Sequence, residues 1–314
     1  MILTVTPNPA LDLTWHVDRL RIGDTHRADA GAVRAGGKGL NVARVAHAEG
    51  AAVRAITTAG GRNGEEFAEE LVRSGVPHAL VRVGQDTRRS IAVVDEALGD
   101  TTIINERGLT PSDQEWADLL AAVVDALPSA RVLVISGSLP PGAPDGFLPL
   151  LIAVAKDAGV PVIVDTSGPA LLRAAEAGAS VLKPNRAELV EATGITDPVD
   201  GAHALIARGA ELVLLSLGAA GMLAITASEL VHARLGEPLT GNPTGAGDAA
   251  VAACAVLYAE GERDPEVILR RAAAWSAAAV LMPLAGDISP QWPALAAQLR
   301  VSRPDPDSVR KDLS

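Results

Sequence analysis

Residues 131–165 read RVLVISGSLPPGAPDGFLPLLIAVAKDAGVPVIVD. The opening run, Arg131 to Ser136, is short, apolar and rich in β-branched residues. A Pro/Gly turn follows, then an apolar stretch of helical length over 147–158, then a second short run over 160–165. Strands that are apolar on both faces and separated by helices belong to a parallel sheet covered on both sides. Toward the C-terminus the alternation continues. It predicts helices over 169–177, 186–193 and 201–208, strands over 180–183 and 211–217, and two long helices over 246–259 and 265–282. The N-terminal third is different. Segments 13–17, 25–33, 89–95 and 101–105 alternate in short pieces and predict a small, half-exposed sheet built from two separated insertions, about 10–35 and 86–106. The expected fold class is therefore α/β, a three-layer core with a mostly parallel sheet plus a small β-sheet lid. One domain is expected over 1–302, and the polar, Pro-containing stretch 303–314 is expected to fray.

Composition narrows the function. The chain has 314 residues, 48% of them hydrophobic and 21% charged, which suits a globular protein with a substantial core. Aromatics are only 2%, so Ala, Val, Leu and Ile must do the packing. A net charge of -11 argues against nucleic acid as a partner, because phosphate backbones need a basic face. The single cysteine, Cys254, excludes an internal disulfide and sits in an apolar helical run, where a buried, inert thiol is expected. No stretch approaches the ~20 apolar residues of a membrane span. The N-terminal MILTVTPNPALD has neither a basic start nor a cleavage pattern, so a cytoplasmic location is expected.

In open parallel sheets, ligands bind outside the carboxyl ends of the strands. Asn8, Asp12, Ser136, Asp165, Asn185 and Ser216 end strands here and would line one crevice. The most informative motif is GNPTGAGD at 241–248, which runs directly into a helix. Gly245, Ala246 and Gly247 offer unobstructed N–H groups at the helix start, an anion site by geometry and dipole. Asp248 adds a carboxylate able to accept a hydroxyl proton beside that anion, the requirement of phosphoryl transfer to an alcohol. Alone, the pattern is equally an ordinary Asp at a helix start. Gly245, Gly247 and Ala250 also match the dinucleotide spacing, but no strand runs into them.

A second motif, GGKGLN at 36–41, opens a helix. It is not a Walker A loop, because Gly39 stands where Ser or Thr is required. Gly37 permits close approach of a ligand, and Asn41 can donate to and accept from a sugar hydroxyl. Lys38 and Lys183 are two of only four lysines, and both fall in motifs where a basic group beside a bound anion makes sense. In KPNRAE at 183–188, Asn185 and Glu188 share one helix face. A carboxylate there can hold Mg²⁺ through water or simply cap the helix. The small residues of SLGAAG at 216–221 leave room for a flat base or a phosphate. Arg88, in the expected lid, can clamp an anionic group if it points into the crevice.

Together and in this order, TPNPALD, GGKGLN, SGSLPPG, KPNRAE and TGAGD resemble the ribokinase-like PfkB carbohydrate kinase family over nearly the whole chain. The character of TPNPALD, SGSLPPG and KPNRAE is that of its 1-phosphofructokinase and tagatose-6-phosphate kinase branch. The resemblance implies a ribokinase-like fold, ATP with Mg²⁺, a phosphosugar substrate and a homodimer joined through the lids. It implies Asp248 as the base and Gly245, Ala246 and Gly247 as the anion hole. Asp12, Gly37, Asn41 and Ser136 match sugar-contacting positions, and Lys38 lies in the same GGKG motif. Lys183, Asn185, Ser216, Gly218 and Gly221 match nucleotide contacts, and Glu188 the acid associated with Mg²⁺. Arg88 matches the arginine that selects phosphorylated sugars, with Arg27 as a looser second. The family commonly carries Asp-Thr or Ser-Thr before GAGD; Asn242-Pro243-Thr244 departs from it and leaves the choice among ketohexose phosphates open. The implied reaction is phosphorylation of fructose 1-phosphate to the 1,6-bisphosphate. The alternatives are tagatose-6-phosphate or 6-phosphofructokinase activity, a free-sugar or nucleoside kinase, and a non-catalytic sensor.

Overall fold

The structure, a computed structural model, describes residues 1–305. The first part of the chain forms β1 (Ile2–Thr6), β2 (Ala10–Val17), β3 (Ala32–Gly36), α1 (Lys38–Ala48), β4 (Val53–Ala59), α2 (Gly61–Arg73), β5 (His78–Arg82), β6 (Arg88–Asp95) and β7 (Asp100–Asn105). The middle forms α3 (Asp113–Ala126), β8 (Val132–Ser136), α4 (Phe147–Asp157), β9 (Val162–Asp165), α5 (Pro169–Glu176), β10 (Val181–Leu182), α6 (Arg186–Thr193), α7 (Pro198–Ile206) and β11 (Leu212–Ser216). The last part adds β12 (Met222–Ile225), β13 (Leu230–Arg234), α8 (Ala246–Glu260), α9 (Pro265–Val280), α10 (Trp292–Gln298) and β14 (Arg300–Ser302).

Ten strands make one sheet in the order β14-β13-β12-β11-β10-β9-β8-β1-β4-β5. From β11 to β5 every pairing is parallel, while β12, β13 and β14 extend the sheet antiparallel. Strand alternation divides the interior between two cores. Val132 and Val134 of β8 join α1, α2, α8 and α9 on one face, while Leu133 and Ile135 join helices α3 to α7 on the other. That is the three-layer arrangement expected of apolar strands between helices. On the first face, α8 buries an unbroken run of small residues from Ala249 to Ala255, which lets α1 and α9 pack closely on it. Cys254 lies within this run, and burial pushes its thiol well above the usual range. Trp116 and Trp275 are packing residues, and Trp292 meets the Trp275 ring at 5.9 Å.

The small sheet has four strands in the order β3-β2-β6-β7, drawn from the two stretches the alternation singles out. Within the stretch 25–33, only Ala32 and Val33 are in a strand; the residues before them form an exposed loop. Short polar alternation there reflects solvent on both sides and not a half-buried face. The helix expected over 201–208 begins at Pro198, because the Asp197 side chain accepts from the N–H groups of Val199 and Asp200. The strands β12, β13 and β14 are too short to carry a periodicity of their own. Of the stretch 303–314, residues 306–314 lie outside the described residues, and Arg303 is engaged by Glu229 and Glu266.

The small sheet meets the core at a buried ion pair. Glu70 of α2 accepts from the Ala35 N–H at 2.8 Å and from Arg44 of α1, which also donates to the Ala35 carbonyl at 3.0 Å. Removing one partner of a buried pair strands the other charge and costs about 3–5 kcal/mol. Glu70→Ala is therefore expected to lower the unfolding free energy by about that amount, read from urea denaturation. A change within error of wild type would show that the pair does not brace this junction.

Candidate active site

One cavity of ≈ 1160 Å³ runs along the carboxyl ends of the sheet strands. Asn8 follows β1, Asp165 ends β9, Lys183 follows β10, Ser216 ends β11 and Ala233 lies on β13, so successive strands each supply part of the wall. The small sheet closes the end near β1 with Asp12, Arg88, Ser90 and Asn105. At the opposite end Ala273, Ser276, Ala277 and Val280 present one face of α9, beside the loop at Glu237 to Leu239.

The floor is built on Asp165, which is wholly buried. Lys38 Nζ and Lys183 Nζ each lie 3.4 Å from its carboxylate, and Ser136 Oγ donates to Asp165 Oδ2 at 3.3 Å. Burial by itself would raise the pKa of Asp165, but the two ammonium groups outweigh it and hold the carboxyl below its ordinary value. Lys38 also lies 3.4 Å from Glu188 Oε1, and Asp165 above all keeps it protonated. Glu188 has a second duty. Its Oε2 accepts from the Asn185 N–H while the Asn185 side chain accepts from the Glu188 N–H, a reciprocal cap that starts α6.

Asp248 sits at the start of α8 and is 6% exposed. Gly245 caps this helix with φ of 85°, a left-handed conformation that glycine adopts readily; Gly245, Ala246 and Gly247 line the cavity, and the Ala246 N–H donates to the Pro243 carbonyl at 3.2 Å. Asn41 Nδ2 donates to Asp248 Oδ2 at 2.8 Å. Burial, reinforced by the nearby Asp165, pushes the Asp248 carboxyl up to about 6, against the pull of Lys38. At neutral pH it is ionised yet basic enough to take a proton. Asp12 is pushed up to about 7, chiefly by burial, with Arg88 opposing and Asp248 adding to the rise. Its carboxylate occupies the space that a Cβ on residue 36 would need, so a side chain there would displace Asp12.

Arg88 points into the cavity from β6. Its Nε donates to Asn8 Oδ1 at 3.1 Å, its Nη2 to the Asn8 carbonyl at 3.1 Å and its Nη1 to the Glu106 carbonyl at 3.0 Å. A guanidinium has five N–H groups, so one on each terminal nitrogen stays available to an anion.

Most of the residues singled out from the sequence meet here. Asp12, Gly37, Lys38, Asn41, Arg88, Lys183, Asn185, Glu188, Ser216, Gly218, Gly221, Gly245, Ala246, Gly247 and Asp248 all line the cavity. Two do not. Ser136 is fully buried because strand alternation turns it inward onto Asp165, and its neighbours Gly137 and Ser138 face the cavity instead. Arg27 lies exposed on the loop between β2 and β3, outside the cavity lining. Asp165 was legible only as a polar strand end; that two lysines converge on it depends on three distant segments. The α9 face was readable in principle, since positions 273, 276, 277 and 280 follow helical spacing. No strand enters Gly245, which removes the dinucleotide reading of that turn.

A buried carboxylate of raised pKa beside a glycine-started helix, in a three-layer fold with a sheet over one end of the cavity, is an arrangement suited to a small-molecule kinase. The chain belongs to the pfkB family of carbohydrate kinases, whose model matches residues 8–292. It is thus a sugar kinase, a phosphotransferase with an alcohol acceptor. The 1-phosphofructokinase of Xanthomonas campestris pv. campestris is 36% identical over 283 residues, covering 87% of this chain and 89% of that protein. Phosphofructokinase-2 from Escherichia coli in complex with fructose-6-phosphate is 32% identical, with a TM-score of 0.84 over 94% of this chain and 98% of that one. A possible 1-phosphofructokinase from Thermotoga maritima is 26% identical, with a TM-score of 0.89 over 97% of this chain and 100% of that one.

The raised pKa of Asp248 predicts a pH dependence for a reaction in which Asp248 takes the proton. A base works deprotonated, so kcat/KM for ATP at saturating acceptor should rise with pH through a midpoint near 6. Asp165 raises Asp248, so Asp165→Asn should move that midpoint to lower pH. A midpoint that stays put in the variant would disconnect the two carboxylates.

Proposed function

We propose that the protein transfers the γ-phosphoryl group of ATP to O6 of fructose 1-phosphate, giving fructose 1,6-bisphosphate and ADP. The observation that carries the phosphosugar reading is Arg88, fixed by Asn8 and Glu106 at the closed end of the cavity with N–H groups to spare. A free sugar has no use for an immobilised guanidinium there. The 36% identity to a 1-phosphofructokinase favours a phosphate at position 1. The structural likeness to a phosphofructokinase-2 in complex with fructose-6-phosphate favours 6-phosphofructokinase activity as the second reading. Tagatose 6-phosphate stays in the comparison because of Asn242-Pro243.

On this reading Asp12 accepts from sugar hydroxyls, with Asn41 beside it, while Arg88 holds the phosphate already present. Asp248 takes the proton from the attacking hydroxyl as its oxygen bonds to the γ-phosphorus and the bond to the β-phosphate oxygen breaks. The Gly245 and Gly247 N–H groups hold the charge on the transferring phosphoryl, and Ala246 joins them once its N–H leaves the Pro243 carbonyl. The α9 face suits the flat base of ATP, and Lys183 approaches the phosphates from the floor. Among the described residues no three acidic, imidazole or thiol groups converge to hold a metal. That fits Mg²⁺ carried by the nucleotide and met by Glu188 through water, where it would neutralise phosphate charge. A cytoplasmic location accords with the absence, among the described residues, of a helix long and apolar enough to cross a membrane. A dimer through the small sheets accords with exposed Val33 and Ile104 on the face turned away from the cavity.

The test is ADP release with fructose 1-phosphate, fructose 6-phosphate, tagatose 6-phosphate, fructose and ribose. Turnover restricted to free sugars would refute the phosphosugar reading. Asp248→Asn should lower kcat by about two or more decades, the contribution of a positioned base; near-full activity would assign the proton elsewhere. Arg88→Ala should chiefly raise KM for the phosphosugar while leaving KM for ATP in place. An unaltered sugar KM would put the phosphate at another site.

A further inference from the structure

Arg34 lies on β3 directly opposite Asp12 of β2 in the small sheet. Its guanidinium leaves that sheet and reaches the segment between α9 and α10. Nη1 donates to the Ala285 carbonyl at 2.7 Å and to Asp287 Oδ2 at 2.9 Å, and Nη2 donates to Asp287 Oδ1 at 3.1 Å. Both carboxylate oxygens are engaged, and the arginine side chain is only 19% exposed. This two-pronged, partly buried geometry differs from ordinary surface pairs, which fix little. Neither Arg34 nor Asp287 lines the cavity.

The segment they hold presses on the anion-holding turn. A Cβ at Gly245 would stand 2.9 Å from both Cα and Cβ of Ala285, so the two backbones are in contact. Asn242, at the start of the same turn, donates its side-chain amide to the Pro283 carbonyl at 3.0 Å. A Cβ at Gly286 would lie 3.1 Å from Oδ1 of Asn41, the residue whose Nδ2 holds Asp248. A continuous path of contacts therefore runs from Asp12 on the small sheet, through Arg34 and residues 285–287, to Gly245 and Asp248.

We propose that Arg34 and Asp287 are positioning residues that couple the sugar end of the cavity to the phosphoryl-holding turn. A sugar seated on Asp12 fixes the β2–β3 pair; Arg34 then fixes residues 285–287, and these fix the Gly245 turn for the γ-phosphoryl. Sugar and nucleotide consequently bind with mutual reinforcement, and the link acts on kcat. The inference rests on assigning the small-sheet end to the sugar and the α8 start to the γ-phosphoryl.

The experiment measures the dissociation constant of a non-hydrolysable MgATP analogue with and without saturating acceptor, in wild type, Arg34→Ala, Asp287→Ala and the double variant. Fructose 1-phosphate is the acceptor; if wild type turns over a different sugar of the panel, the substrate reading falls and that sugar takes its place here. Wild type should bind the analogue about five-fold or more tightly with acceptor present, the lower range of site-to-site coupling. In each single variant this ratio should approach one and kcat should fall about ten-fold, a loss of the size seen for coupled positioning contacts. The double variant should be no worse than either single. Arg34→Lys, which keeps the charge but not the fork, should recover part of the ratio and serves if the alanine variants do not fold. Wild type with a ratio near one, or variants that keep both ratio and kcat, would overturn the link. Lower melting temperatures with the ratio intact would also overturn it, because Arg34 would then be a brace only.

Discussion

Asp165 is the interaction on which the site depends. A carboxylate with no access to water costs several kcal/mol unless cations face it, and here Lys38 and Lys183 do so from different segments. Satisfying it requires the end of β9, the start of α1 and the residue after β10 to meet at one point. That meeting place is the cavity floor. The same group tunes the chemistry, since its negative charge keeps Lys38 protonated and adds to the burial that raises Asp248. Asp165 and Asp248 are thus electrostatically coupled.

Asp248 shows two opposing effects and which one wins. The N-terminus of α8 favours an ionised carboxylate, and Lys38 and Asn41 pull in the same direction. Burial and Asp165 prevail, and the carboxyl rests at about 6. A carboxylate held well below that value would be a poor proton acceptor. The wall opposite is permissive by contrast: Ala273, Ser276, Ala277 and Val280 offer shape without charge. Strong fields around Asp165 and Asp248 thus share one cavity with an uncharged slot at its far end.

The parallel strands were readable because each is buried on both faces and bounded by turns. Capping chemistry was readable too: Asn185 and Glu188 stand three apart, and they do form the reciprocal cap, while Glu188 also meets Lys38. Where reading failed, the cause was context. The stretch 25–33 alternates because it is solvated, and Arg27 stays with that loop in solvent. Ser136 occupies a strand end, but the phase of β8 turns it into the interior. The strands β12 to β14 are ordered by the sheet edge they join, a cause that no local window contains.

What the sequence by itself determined is local: the period of the strands and helices, the glycine-rich helix start at 245–247, the cap at Asn185 and the set of chemical groups available. Those follow from torsional preference, burial pattern and hydrogen bonds between near neighbours. Tertiary structure alone decided which groups face one another. It set Lys38 and Lys183 on Asp165, Asn41 on Asp248, Asn8 on Arg88, and Arg34 on Asp287 across 253 positions of chain. Electrostatic tuning depends on distance and desolvation, and both are properties of the packed fold, not of any segment within it.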